Sequence, residues 1–178
     1  MDTTSSSISY ITRKELDAQK YSWAFQILVP VVAIVVQAFV PLRIRFFSIF
    51  DLPLLVTIFL AVSRRSPVGG AFTGALIGTV QDAIAGTPIG VNGLANTVVG
   101  YLASSIGLKI DVENIGSRFI MIFCFTLVHH VIHTLVNTRI VGKTEVLYLT
   151  RFQLGSVVAI SILGVAIFSV LDRFKIRN

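Results

Sequence analysis

A chain of 178 residues has room for one domain, and with 54% of it hydrophobic and only 13% charged it departs from the roughly one-quarter charged content of soluble domains. A mean hydropathy of +0.82 points to a lipid surrounding. The net charge of +6 does not indicate nucleic-acid binding, because the 15 Lys and Arg residues are spread over loops and tails with no basic helix or aromatic-interleaved patch. One cysteine, Cys124 in an apolar stretch, excludes a disulfide framework and paired metal thiolates, and reads as a small buried hydrophobe.

Residues Met1 to Lys20 are polar, with Ser5, Ser6 and Ser7 in a row, and read as a mobile tail. The chain therefore divides into an N-terminal tail over 1–22, a six-helix transmembrane domain over 23–171 and a C-terminal tail over 172–178. The first span runs from about Trp23 to Val40, with a kink at Pro30, and ends at Pro41, Arg43 and Arg45. No convincing small-residue cleavage site follows it, so it is retained rather than removed as a signal peptide. The second span, Phe46 to Val62, is interrupted by Asp51 and Pro53 and closes on Ser63-Arg64-Arg65-Ser66-Pro67. The third and fourth, Val68 to Ala85 and Ile89 to Leu108, are joined by Gly86-Thr87-Pro88, short enough to force an antiparallel hairpin. The fifth covers Phe119 to Thr138 and the sixth Phe152 to Leu171, each near the roughly 20 residues a bilayer core requires.

Six spans put both termini on one side. Arg13, Lys14, Lys20, Arg64, Arg65, Lys109, Arg118, Arg173, Lys175 and Arg177 share that side, against Arg43, Arg45, Arg139, Lys143 and Arg151 on the other. The positive-inside bias then places both termini in the cytoplasm.

Asp82 is the most informative residue, since an aspartate at the centre of a membrane helix costs roughly 2.5 to 3.5 kcal/mol. It should face protein or water. Gly78, Gly74 and Gly70 precede it at intervals of four, a small-residue ridge that invites close approach by another helix, of a partner or of the same chain. Asp82 reads either as a local cap near Gly86 or as part of a binding site. Asn92 and Asn96 share a face across the hairpin at the depth of Gln81 and Asp82, and with Gln37 and Asp51 they suggest an outward-facing polar cavity. His129, His130 and His133 lie in the same half of the membrane. His129 and His133 are spaced to share a metal ion, but no cysteine or zinc-protease acid accompanies them, so a cavity lining or interhelical hydrogen bonding is the stronger reading and no cofactor is expected. No nucleotide loop, nucleophile elbow or paired carboxylates support an enzyme.

Asp51-Leu52-Pro53-Leu54-Leu55, Arg64-Arg65-Ser66-Pro67, the glycine ridge into Gln81-Asp82, Ala85-Gly86-Thr87-Pro88-Ile89-Gly90-Val91-Asn92-Gly93-Leu94 and Gly100-Tyr101-Leu102 occur in an order that resembles the bacterial rod shape-determining MreD family. The resemblance covers about residues 46 to 108; the last two spans agree only in hydropathy and length. It implies a non-enzymatic, multi-pass inner-membrane subunit of the elongation machinery for lateral-wall peptidoglycan, with MreC as direct partner, MreB, RodA and its transpeptidase in the wider complex, and membrane lipid around it. It also implies an all-α fold similar to the substrate-capture subunits of energy-coupling-factor transporters. The alternative function is therefore vitamin capture, with Asp82, Asn92 and Asn96 as ligand contacts. The histidine cluster is outside the resemblance.

Overall fold

The computed structural model describes residues 21–107, 114–139 and 151–174. The tail to Lys20, the loop around Lys109, the Gly142-Lys143 turn and the residues from Lys175 onward lie outside them. Among the described residues there are six α-helices, α1 (Trp23–Arg43), α2 (Leu52–Arg64), α3 (Pro67–Ala85), α4 (Val91–Gly107), α5 (Ile115–Arg139) and α6 (Arg151–Leu171), with 3-10 turns at Arg45–Ile49 and Asp172–Phe174 and no strand.

Local chemistry sets the boundaries. The expected second span begins six residues late, at Leu52, because Asp51 accepts the Leu54 N–H at 3.1 Å as an N-cap and Pro53 occupies the first turn. Phe46 and its neighbours instead form the 3-10 turn. Arg65 ends α2 in the left-handed region at φ 52°, and Ser66 caps α3 through the Gly69 N–H. Gly86 closes α3 at φ 65°, and at Gly90, φ 105°, the chain is still turning, so α4 starts two residues later than the apolar run suggests. Asn114 accepts the Gly116 N–H through its side chain and the Arg118 N–H through its carbonyl, which starts α5 one turn before Phe119. The first helix continues through Pro30 and Pro41.

The helices alternate in direction. Arg64 at the end of α2 donates to Gln26 near the start of α1, and Gln37 near the end of α1 accepts the Leu52 N–H. Val62 meets Gly107, and Arg118 pairs with Asp172. One end of the bundle, the near end, thus carries Tyr21, Arg64, Arg118 and Asp172; the far end carries Asp51, Asp82 and the histidines. Tyr21 donates to Asp172 at 3.2 Å, and burial together with the Asp172 carboxylate raises its pKa.

In α2 every residue from Pro53 to Ser63 is buried, which makes it the central post of the bundle. Phe59 packs edge-on to Phe168 of α6 at 5.1 Å, with Leu55, Ile58, Ile122 and Ile160 around it. α3 is sided the other way from a water-soluble helix. Its large residues Val68, Phe72, Leu76, Val80 and Ile84, four apart, are exposed, while Gly70, Gly74, Gly78 and Asp82 are buried. Large apolar groups outside and small or polar ones inside is the arrangement of an all-α membrane protein. The lengths are unequal, however: α1, α5 and Gly155–Phe174 are long and apolar enough to cross a bilayer, whereas α2, with 13 residues, rises only about 20 Å. Cys124, expected in the core, is exposed on the outer face of α5, where lipid rather than protein is the apolar medium.

The neighbour on the glycine ridge is α4 of the same chain. A Cβ on Gly74 would stand 2.7 Å from the Asn96 carbonyl carbon, and one on Gly78 would stand 2.6 Å from that of Asn92 and 2.7 Å from the Gly93 nitrogen. At Gly70 the obstruction is Gly100 and Ser104. A partner helix has no room on this face.

At the end of the ridge Asp82, fully buried, closes the hairpin. Its carboxylate accepts the backbone N–H groups of Gly90 (2.9 Å), Asn92 (3.1 Å) and Gly93 (3.2 Å), the Asn92 side-chain amide (2.8 Å) and the Thr87 hydroxyl (3.0 Å). Three of these five donors are backbone N–H groups at the start of α4, which have no partners within the helix, and the negative charge lies at the positive end of its dipole.

Adding a side chain to a packed seam costs about 1–3 kcal/mol, and more where backbone is the obstacle. The Gly74→Leu, Gly78→Leu double variant is therefore expected to lose folded protein, measured by monodispersity and melting temperature in detergent; a wild-type melt would show that α4 does not lie on this face. Asp82→Asn keeps the shape but replaces one acceptor oxygen with an amide that faces other donors, a loss of about 1–3 kcal/mol. Its melting temperature should fall, and by less than that of the glycine variant.

Candidate functional site: a polar cavity at the far end

A cavity of about 290 Å³ lies between the far ends of the helices. Its floor follows from the short α2. The chain reaches α2 through the turn bearing Ser48 and Ile49, and Phe50, Asp51 and Leu54 from this connection line one side. α1 contributes Gln37, α3 Gln81 and α4 Asn92. Thr126, His129, His130 and His133 of α5 and Ile160 of α6 complete the wall.

Asp51 holds two of these elements together. Its Oδ1 caps α2 and also accepts the Gln81 side-chain amide at 3.3 Å, which leaves Oδ2 without a protein donor among the described residues. Gln37 supports the same turn by accepting the Leu52 N–H at 3.3 Å. The His129 and His133 rings stack with centroids 5.9 Å apart, and His133 Nδ1 lies 3.4 Å from the Asn137 amide. His129 is buried, yet its Nε2 has no hydrogen-bond partner; the same holds for Gln81 Oε1. Buried polar atoms normally find partners, so these two mark where a water or ligand atom would be received. No group of three His, Cys, Asp or Glu side chains among the described residues is arranged to hold a metal ion.

Of the residues singled out in the sequence, Asp51, Gln81 and Asn92 line the cavity, and the three histidines join them. Asp82 and Asn96 are not in its lining. Asp82 is turned into the α3–α4 connection, and Asn96, fully buried one turn below Asn92, has neither amide atom hydrogen-bonded. Ser48 and Thr126 were not singled out, and their residue types carry no signal: Thr126 donates to the Ile122 carbonyl of its own helix, as hydroxyls in membrane helices commonly do.

No curated protein and no solved structure matches the chain, so the likeness to vitamin-capture subunits rests on the sequence resemblance alone. The family model described as rod shape-determining protein MreD matches residues 18–171, extending past the hairpin signature into the last two helices. The chain belongs to the MreD family, whose role is in determining rod shape.

Proposed function

We propose that the protein is a non-enzymatic subunit of the complex that builds lateral-wall peptidoglycan, residing in the bacterial inner membrane and binding MreC directly, with MreB, RodA and its transpeptidase in the wider assembly. Family membership over residues 18–171 carries this reading. The glycine ridge is occupied by α4, so an MreC helix would meet one of the outer apolar faces instead. α1 offers one, with Ile27, Leu28, Val31, Val32, Val35 and Phe39 exposed. Both termini are assigned to the cytoplasm by the positive-inside bias of the full sequence, ten Lys and Arg residues against five; among the described residues the near end (Arg64, Arg65, Arg118, Arg173) and the far end (Arg43, Arg45, Arg139, Arg151) carry four each.

The vitamin-capture alternative would use the far-end cavity. That cavity has Phe50 as its only phenyl or indole side chain among the described lining residues, which favours the scaffold reading.

Reporter fusions active only in the periplasm should work after Thr87 or Lys143 and fail after Arg65 or Asn178; the reverse pattern would overturn the orientation. Depletion should turn rod-shaped cells round or swollen, scored by microscopy, without loss of a single metabolic conversion. Cells that keep their shape but stop taking up one vitamin would establish the alternative.

A further inference from the structure

We propose that the far-end cavity receives the ammonium group of an ethanolamine phospholipid headgroup. The free hydrogen-bonding capacity of the wall is rich in acceptors: Asp51 Oδ2 and Gln81 Oε1 lack donors, and His129 Nε2 accepts when its ring proton sits on Nδ1. Among the described residues the one ion pair is Arg118–Asp172 at the opposite end of the bundle; the Asp51 carboxylate faces the cavity with no Lys or Arg in the lining, its ionisable neighbours there being His129, His130 and His133. A carboxylate at membrane depth calls for a positive partner. A primary ammonium supplies one together with three N–H donors, and Asp51, Gln81 and His129 of the lining each hold an acceptor atom able to receive one.

The rim identifies the rest of the ligand. The turn that carries Ser48 and Ile49 into the wall begins at Arg45, and Arg43, Ile44, Arg45 and Phe46 are exposed beside it, Ile44 at 54% and Phe46 at 65%. The connection that leads into a pocket suited to an amine thus carries two exposed arginines suited to a phosphate and apolar side chains suited to acyl chains. That is the charge order of a zwitterionic lipid entering ammonium first. A quaternary choline headgroup would fit the charge but offers no N–H donor, and a glycerol headgroup brings no cation.

The test is native mass spectrometry of the full chain released from nanodiscs containing equal amounts of phosphatidylethanolamine, phosphatidylcholine and phosphatidylglycerol. The wild type should retain phosphatidylethanolamine at least tenfold over the other two. Asp51→Asn should abolish the preference while keeping its melting temperature in lipid-free detergent, since asparagine also caps a helix. Should that variant not fold, Gln81→Leu, which removes one free acceptor and leaves the carboxylate, should reduce the preference severalfold. Equal retention of the three lipids, or a preference unchanged in the folded variants, overturns the proposal. So does stabilisation by millimolar soluble ethanolamine equal to that given by the lipid, which would make the ligand a free amine. These outcomes do not depend on the role in cell shape, which the depletion experiment tests separately.

Discussion

The contact on which the far end depends is the one between the Asp82 carboxylate and the first backbone N–H groups of α4. It forms because Gly70, Gly74 and Gly78 let the two helix backbones touch; any side chain on that seam would move α4 out of reach of the carboxylate. The reverse dependence also holds. Without Asp82 the start of α4 would bring unpartnered N–H groups into a region with little water, where each costs several kcal/mol. Seam and carboxylate therefore stabilise one geometry jointly. Because consecutive helical residues point about 100° apart, fixing Asp82 toward α4 also fixes the rotation of α3 that brings Gln81 to Asp51.

Much of this was legible in the sequence because its causes are local. Small residues at intervals of four, a Gly-Thr-Pro connection and an aspartate at the end of the ridge specify an antiparallel hairpin without reference to the rest of the chain. What the sequence left open was which helix fills the ridge, since a glycine seam has the same pattern whether its neighbour is a partner or the next helix of the same chain. The structure places α4 there, on backbone contacts too close for a Cβ.

The less legible features are those in which a side chain chooses between two environments at the same depth. Asp82, Asn92 and Asn96 are all polar groups in the same half of the hairpin, yet Asp82 closes the turn, Asn92 bonds to it and also lines the cavity, and Asn96, one turn further in, is enclosed against α3. Depth follows from hydropathy, but direction depends on helix rotation, which only packing sets. Cys124 illustrates the same limit: its apolar neighbours are compatible with a core or with lipid, and it faces outward. Counting residues puts the histidines in the same half of the bundle as Asp51, and their common wall with it depends on how α5 packs against its neighbours.

The two ends of the bundle differ for a reason that begins with the length of α2. At the near end α2 reaches the surface, and its terminus is tied to α1 and α3 by Arg64, which donates to Gln26 and to Thr73, while Arg118, Asp172 and Tyr21 join the remaining helices. At the far end the same post stops short. A helix of 13 residues rises about 20 Å, some 10 Å less than the hydrocarbon thickness, and the chain leading into it is displaced sideways as the turn Arg45–Ile49. The space directly above Asp51 is therefore left by the central helix and surrounded by its longer neighbours. A carboxylate that caps a short buried helix consequently becomes the floor of a cavity. The aspartate and proline that begin α2 thus do more than interrupt a span: by starting the central helix late they create the polar pocket, and by capping it they put a carboxyl group there.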